Sequence, residues 1–208
     1  MAAKLALNKS SLAKESAQLA EYKRFLPSLE LKRLQIMAER AKARETASRL
    51  DREYAEEFRG LAHALPMLAN KQVPLDGLVS LKDVVRGEQN LSGTRLPTLE
   101  DIEVETEPYS LLARPHWVDA YVEGMQKLLR LNLERDVARE RIDRLVEAEA
   151  VISRRVNLFE KVLIPQAERN IKKIRMALAD AERDAVVRAK ISKRKTAARG
   201  AETRVAEI

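Results

Sequence analysis

Apolar residues recur at alternating intervals of three and four positions along two long stretches of the chain. This spacing constrains the fold more than any other feature, because it places one continuous apolar face along an α-helix. In the first stretch ten of thirteen positions of the series are apolar, and in the second eleven of fourteen. Two helices of this kind bury their faces by packing against each other, so the sequence predicts an elongated, nearly all-helical protein.

The two series define the predicted seam, the line of positions along which the helices meet. The first consists of Leu19, Tyr22, Leu26, Leu29, Arg33, Ile36, Arg40, Ala43, Ala47, Leu50, Tyr54, Glu57 and Leu61. The second consists of Trp117, Tyr121, Gly124, Leu128, Leu131, Arg135, Ala138, Ile142, Leu145, Glu149, Ile152, Val156, Phe159 and Leu163. After Pro165 the spacing slips in phase and resumes as Ala167, Ile171, Ile174, Leu178, Ala181 and Ala185. Because proline disrupts a helix interior, we expect a kink at Pro165 and a kink or break near Leu26, beside Pro27.

Prolines and glycines divide the chain into three parts. Five of the seven prolines and three of the six glycines fall between His63 and His116. We therefore expect an N-terminal coiled-coil helix over 1–64, a central region over 65–115 and a C-terminal coiled-coil helix over 116–208. The predicted fold class is all-α, with the two end segments paired as a long antiparallel two-helix coiled coil.

The central region carries Val, Leu and Ile near alternate positions in two short runs, Leu78–Val85 and Arg95–Val104. Alternation of this kind is typical of strands, and the glycines between the runs favour a turn. The sequence predicts a β-hairpin here, and an irregular loop with a short helix is the alternative.

Composition argues against catalysis by this chain. Charged residues make up 34% of the sequence and aromatic residues only 4%, and there are no cysteines and two histidines. The sequence contains no nucleotide-binding, zinc-protease or serine-hydrolase motif. We expect no catalytic residue, cofactor or metal ligand, and interpret His116 and Trp117 as the start of a helix. No apolar run is long enough to cross a membrane, so we expect a cytoplasmic protein without membrane insertion.

Charge is unevenly distributed, although the net charge is +7. The C-terminal end is basic, with Arg188, Lys190, Lys193, Arg194, Lys195, Arg199 and Arg204. One central stretch is acidic, with Glu100, Asp101, Glu103, Glu105 and Glu107. The basic end lacks interleaved aromatic residues, which disfavours nucleic acid and favours an acidic protein surface as its partner. The two charged regions should therefore meet different neighbours.

The segment SRRVNLFEKVLIPQAERNIKKIRMALADAERDAVVRAKISKRK, residues 153–195, resembles the C-terminal signature of the D subunit of V-type and A-type rotary ATPases. Residues that fall on the family's pattern include Arg154, Arg155, Val156, Asn157, Glu160, Ile164, Pro165, Ile171, Lys172, Ile174, Met176, Leu178, Glu182, Arg183, Arg188 and Lys190. The opening helix is similar to the family's at Leu7, Asn8, Lys9, Leu12, Leu19, Leu26, Leu31 and Lys32. The segment SGTRLP, residues 92–97, is similar to the family's central turn.

This resemblance implies a non-catalytic central rotor shaft. It implies that the paired helix ends enter a hexamer of catalytic A and nucleotide-binding B subunits. The candidate residues there are Arg188, Lys190, Lys193, Arg194 and Lys195. It further implies that the central segment contacts the small F subunit and the adaptor subunit on the membrane ring. Candidates for that contact are Gly93, Glu100, Asp101 and Glu103.

Two other classes of protein share the same helical spacing. One is a free-standing cytoplasmic coiled-coil adaptor, and the other is a basic, helical nucleic-acid-binding protein. The rotor interpretation predicts the defined protein partners A, B, F and the ring adaptor, a peripheral position at the membrane, and no nucleic acid. A nucleic-acid-binding protein would instead bind DNA or RNA with a steep dependence on salt.

Overall fold

The computed structural model describes the backbone of residues 5–69, 73–110 and 114–205, and the side chains of 5–68, 73–110 and 114–196. Three α-helices and one β-hairpin make up most of these residues. They divide into two compact units, the first formed by Met1–Glu30 and Arg154–Ile208 and the second by Leu31–Ser153.

Helix α1 spans Lys9–Ala64 and continues through Pro27 without interruption. Of the kink or break expected near Leu26, the break is absent, because a long helix can tolerate one lost hydrogen bond. Its N-terminus is capped by Asn8, whose side-chain oxygen accepts a hydrogen bond from the Ser11 N–H at 2.7 Å. All of the buried residues of α1 lie on the predicted seam: Ile36, Ala43, Ala47 and Leu50.

In the second unit the latter part of α1 packs against α2, which spans Trp117–Leu158. Ala47 and Leu50 of α1 form one buried cluster with Ala138 of α2. Closer to the start of α1 and the end of α2, Ile36 and Ala43 are buried in one cluster with Leu145. Rising residue numbers in α1 face falling numbers in α2, so the helices run antiparallel. Together with the hairpin below, this confirms the predicted fold class.

Gly124 of α2 faces the side chain of Leu61 of α1. A Cβ added at Gly124 would lie 2.4 Å from Leu61 Cδ1, closer than van der Waals contact permits. The glycine in the predicted seam is therefore a packing position, since it removes a side chain where the two helices converge.

The predicted hairpin is present and is longer than expected. Strands β1, Val79–Leu91, and β2, Thr94–Thr106, pair antiparallel. Residues 86–91, expected in the turn, belong to β1 instead. Only Ser92 and Gly93 form the loop, both with positive φ, 53° and 91°. Two such residues match the right-handed twist of the strands, so the strands can remain paired up to the turn.

The hairpin packs against the helix pair of the second unit. Leu96 of β2 is fully buried in the cluster formed by Ile36, Ala43 and Leu145. Near the turn, Ser92 Oγ donates to Gln35 Oε1 at 2.8 Å. At the open end of the hairpin, Gln126 Nε2 donates to Thr106 Oγ1 at 2.7 Å. One face of the hairpin is therefore held against the helices and the other faces solvent.

A separate apolar cluster closes the end of the second unit where α1 stops and α2 begins. Trp117 and Val118, the first residues of α2, are buried there with Leu65, Leu78 and Val122. A 3-10 turn over Pro66–Ala69 follows α1. The expectation that His116 and Trp117 mark the start of a helix with an aromatic anchor is confirmed.

In the first unit the early part of α1 packs against α3, which spans Ile164–Val205. A π-helix over Phe159–Leu163 joins α2 to α3, with the Ile164 N–H bonded to the Phe159 carbonyl. The extra residue in this turn accounts for the slip in phase of the apolar spacing after Pro165, because it rotates the later apolar positions relative to the earlier ones. Phe159 also packs edge-to-face on Tyr22, with ring centroids 5.4 Å apart.

The seam of α3 ends earlier than the sequence predicts. Ala167, Ile171 and Ile174 are buried. Every residue from Ala179 to Thr196 is exposed, so the expected continuation at Ala181 and Ala185 is wrong. Ala181 and Ala185 continue the apolar spacing in the sequence, but no described part of α1 packs against them. Within the described part of the chain no helix is long and apolar enough to cross a membrane.

Candidate partner-binding surfaces

The basic end is the first candidate surface and comprises the five predicted residues of α3. All five side chains are exposed: Arg188, Lys190, Lys193, Arg194 and Lys195. The side chains of Arg199 and Arg204, predicted to belong to the same end, lie outside the described residues. Val187 and Ile191, 54% and 49% exposed, lie among these cations. The surface therefore offers positive charge with some apolar area, which suits an acidic partner that also covers hydrophobic side chains.

The second candidate is the acidic surface of the hairpin, formed by Asp83, Asp101, Glu103 and Glu105. In a strand, alternate side chains share a face, and Asp101, Glu103 and Glu105 follow that period along β2. All three are exposed, whereas Ile102 and Val104 between them are partly covered. The strand thus directs its carboxylates to solvent and its apolar side chains inward.

Asp83 joins this surface from the other strand, directly opposite Glu103. Like charges in a directly opposed pair destabilise a sheet, by about 0.2–1 kcal/mol. Lys82 relieves part of the repulsion, since its Nζ lies 3.0 Å from Glu103 Oε2. A hydrogen bond to Glu103 and the nearby carboxylates of Glu105 and Asp83 raise the pKa of Lys82 above its usual value. Sequence reasoning missed Asp83 because only the strand register reveals its position.

Three of the predicted hairpin residues have distinct local roles. Gly93 sits in the two-residue turn. Asp101 is exposed, and its side chain accepts a hydrogen bond from the Ile102 N–H at 2.8 Å. Glu100 is the unpaired residue of a bulge, and its carboxylate lies above Gly87. The hairpin therefore brings Asp101 and Glu103 onto one face, while Glu100 turns toward the other strand and Gly93 lies at the tip.

The predicted signature residues lie along the helices of the first unit. Arg154, Arg155 and Asn157 are exposed near the end of α2. Pro165 is the second residue of α3, and Ile164 separates it from the π-helix. Arg183 is exposed and its Nη1 lies 3.3 Å from Asp180 Oδ1. These residues share a helical segment and do not converge on one site.

Part-buried ion pairs occupy several seam positions of the second unit. Arg40 Nη1 lies 2.5 Å from Glu149 Oε2, and both residues belong to the predicted seam. Arg135, also on the seam, donates from Nε to Asp51 at 2.7 Å, and its guanidinium lies 4.3 Å from the Tyr54 ring centre. The sequence carried a signal for the first pair, because Arg40 and Glu149 are among the few charged residues in the two apolar series. We refer to Arg40–Glu149 and Arg135–Asp51 as the seam ion pairs.

No group of three or more histidine, aspartate or glutamate side chains within the described ranges is arranged to hold a metal ion. The features that the geometry does provide are extended charged surfaces on regular elements. Such surfaces suit recognition of other macromolecules, since they lack the enclosed, convergent polar groups of a small-molecule site.

Together, the antiparallel helix pair and the docked hairpin define a coiled-coil protein with an inserted β-hairpin. Comparison with known sequences resolves the class further. The family model for the ATP synthase D subunit matches residues 11–194, and the chain belongs to that family.

Several known sequences are similar to this chain over nearly their whole length. The D subunit of the V-type ATP synthase of Borreliella burgdorferi is 34% identical over 190 residues, covering 91% of this chain and 94% of the relative. The protein of the same name from Chlamydia felis is 32% identical over 209 residues, covering 99% and 100%. That from Chlamydia abortus is 32% identical over 210 residues, with the same coverage. The predicted family resemblance is therefore confirmed.

Proposed function

We propose that this chain is the central-stalk rotor subunit of a V-type rotary ATPase or ATP synthase. In this role it couples ATP hydrolysis or synthesis in an A/B hexamer to rotation of a membrane ring and to transport of protons or sodium ions. The observation that carries the proposal is the match to the ATP synthase D family across residues 11–194. The chain itself would carry no catalytic residue and would work on the cytoplasmic side, peripheral to the membrane.

The helix pair supplies a physical basis for such a role. A rotor must transmit torque without unwinding, and the buried seam of the second unit joins α1 and α2 through Ile36, Ala47 and Leu145. An asymmetric shaft presents a different face to each catalytic interface at any moment. Rotation would then bias each interface toward a different conformation through differential contacts.

The basic end is assigned to the A/B hexamer in this proposal. Its exposed cations could slide against acidic loops of the hexamer, because long Lys and Arg side chains keep their charge in water without a fixed partner. The acidic hairpin surface is assigned to the F subunit or the membrane-ring adaptor. Its opposed carboxylates, Asp83 and Glu103, would be relieved of mutual repulsion by a basic partner.

The decisive experiment is affinity capture of the tagged full chain from its native host, followed by identification of the co-purifying proteins. Recovery of catalytic A and B subunits with a small F-like chain is the expected result. Recovery of unrelated proteins alone would favour a free-standing coiled-coil adaptor. Recovery of nucleic acid alone, released by salt, would favour a nucleic-acid-binding role.

A hairpin variant tests the assignment of the acidic surface. Asp83→Asn, Asp101→Asn, Glu103→Gln and Glu105→Gln together remove four charges and leave the hairpin's buried face intact. We expect this variant to capture less F-like chain or ring adaptor while still capturing A and B. Removal of residues 78–104 should also reduce capture of the F-like chain.

The matched control neutralises three exposed carboxylates of α3: Asp180→Asn, Glu182→Gln and Asp184→Asn. This control should leave capture of the F-like chain unchanged. Full capture by the hairpin variant and by the deletion would contradict the assignment of the hairpin to either partner.

A further inference from the structure

The seam ion pairs lie where a coiled coil normally places apolar residues. Arg40, Glu149 and Arg135 all belong to the seam series, and their side chains are only 25%, 18% and 17% exposed, whereas Asp51 lies beside the seam and is 45% exposed. Removing charges from water is unfavourable, and apolar residues of similar size at such positions usually leave a protein equally or more stable. Stability alone therefore does not account for these residues.

The pairs are specific to one alignment of the helices. Slipping α1 by one heptad in one direction would set Arg40 beside Ile142 and Arg135 beside Ala47, although Glu149 would then face Arg33. The opposite slip would set Glu149 beside Ala47. Each alternative leaves a charge against apolar side chains, whereas an apolar residue at the same positions would accept every slipped alignment.

A third ion pair also favours the native alignment of α1 and α2, and it includes the hairpin in that alignment. Arg141 Nη2 donates to Glu39 Oε1 at 2.6 Å and to Gln89 Oε1 of β1 at 2.8 Å. One guanidinium thus ties α1, α2 and the hairpin at a single level. The planar, multidentate geometry of arginine makes this tie dependent on correct alignment of all three elements.

We infer that Arg40–Glu149 and Arg135–Asp51 are register locks, which specify the alignment of α1 against α2 rather than its stability. Apolar packing between smooth seams resists separation better than it resists sliding. The locks would supply resistance to sliding under load, and this last step rests on the proposed rotor function. The locking itself is a property of the chain alone and can be tested without any partner.

The chain contains no cysteine, so introduced pairs report alignment without interference. Ala47 and Ala138, both buried in one cluster, are replaced by cysteine to report the native register. Ala47→Cys with Leu145→Cys, or with Leu131→Cys, reports a slip of one heptad in either direction. Disulfide formation requires Cα atoms within about 7 Å, which makes the three reporters selective.

Each reporter is placed in the full-length chain and in a lock-free variant. The lock-free variant carries Arg40→Leu, Glu149→Leu, Arg135→Leu and Asp51→Leu. We expect the parent to form the native cross-link, and the ratio of native to slipped cross-link to fall by roughly tenfold or more in the lock-free variant. The midpoint of its urea unfolding should be unchanged or higher. An unchanged cross-link ratio would overturn the inference, because the hairpin and loops would then fix the register without the pairs.

Charge reversal tests the same inference with variants in which positions 40 and 149 both remain charged. Glu149→Arg alone places an arginine opposite Arg40. The repulsion between these two cations should increase the yield of the slipped cross-link. Adding Arg40→Glu restores an ion pair and should restore the native cross-link. Lys23→Leu with Glu168→Leu removes an exposed pair and serves as the matched control, which should not alter the register. Failure of the reversed pair to restore the native product would also overturn the inference.

Discussion

Asp51 shows how one side chain connects ionisation to helix pairing. Its carboxylate accepts hydrogen bonds from Arg135 at 2.7 Å and Arg139 at 3.1 Å, both on the facing helix. The hydrogen bond from Arg135 is the main cause that lowers the pKa of Asp51 below its ordinary value of 3.8. The folded chain thus favours the charged form more strongly than the unfolded chain does.

This pKa shift predicts a pH-dependent contribution to stability. A depressed folded pKa gives stability that is fully present above the ordinary value of 3.8 and is lost as pH falls through the lower, folded value. Asp51→Asn should therefore lower the free energy of unfolding at neutral pH, and the difference from the parent should vanish under strongly acidic conditions. Urea unfolding at a series of pH values measures this difference.

Asp180→Asn, on the exposed part of α3, is the matched control for the general effect of removing an aspartate. A difference between Asp51→Asn and the parent that stayed constant from neutral to acidic pH would contradict the ionic role of Asp51.

The hairpin shows what an element needs beyond its strand pattern. Alternating Val, Leu and Ile predicted two strands, but the glycines at positions 87 and 93 suggested a long turn between them. In the structure only Gly93 lies in the turn, while Gly87 lies within β1 beneath the Glu100 carboxylate. A glycine in a sequence indicates either a backbone conformation that other residues disfavour or the close approach of another group. Only its neighbours in the structure show which of the two applies.

Gly93 provides a direct test of the turn. Its φ of 91° disfavours an L-residue, and no other atom lies within 4 Å of a Cβ built there. Gly93→Ala should thus destabilise the chain by about 1–2 kcal/mol through backbone strain alone. Chemical unfolding measures this loss.

Gly60→Ala is the matched control, since Gly60 lies in α1 and its Cβ also meets nothing within 4 Å. There the same substitution should stabilise by about 0.5–1 kcal/mol, because alanine favours a helix. Equal effects at both positions would show that the turn does not require a left-handed residue.

The helices were predicted more completely than the surfaces they carry. Apolar spacing identified the buried positions Ile36, Ala47 and Leu145, because a seam repeats locally along one chain. It could not show that α3 loses its cover after Leu178, since that depends on where the facing helix begins. Nor could it pair Asp83 with Glu103, which are neighbours only through strand register. The sequence therefore predicted features that repeat locally along one helix, but it did not predict contacts between segments that are distant in the chain.

At the scale of the whole molecule, charge separates the two candidate surfaces into different units. The acidic hairpin surface belongs to the second unit, and the basic end belongs to the first. A net charge of +7 therefore conceals two surfaces of opposite sign. Partners of opposite charge can recognise one chain without competing, because each is repelled by the surface that attracts the other.

Neutralising the basic end tests its proposed contact with the hexamer. Lys193→Gln, Arg194→Gln and Lys195→Gln should reduce coupling between ATP hydrolysis and ion transport, because electrostatic contact between shaft and hexamer is weakened. The ratio of ions moved to ATP hydrolysed in the reconstituted complex measures this coupling.

The matched control removes the same charge from exposed positions of α2, with Lys127→Gln, Arg130→Gln and Arg144→Gln. This control should retain coupling. An unchanged ratio in the basic-end variant would count against the proposed contact.

The uncovered part of α3, from Ala179 to Thr196, has a thermodynamic consequence. A helix with no packed face keeps its turns by intrinsic propensity alone, so a fraction of molecules has these turns unwound at any moment. A partner that binds the helical form can bind only the molecules in which these turns are intact, so its measured affinity includes the helix–coil equilibrium. Substitutions that raise helix propensity on the side away from the partner would then tighten assembly without adding a single contact.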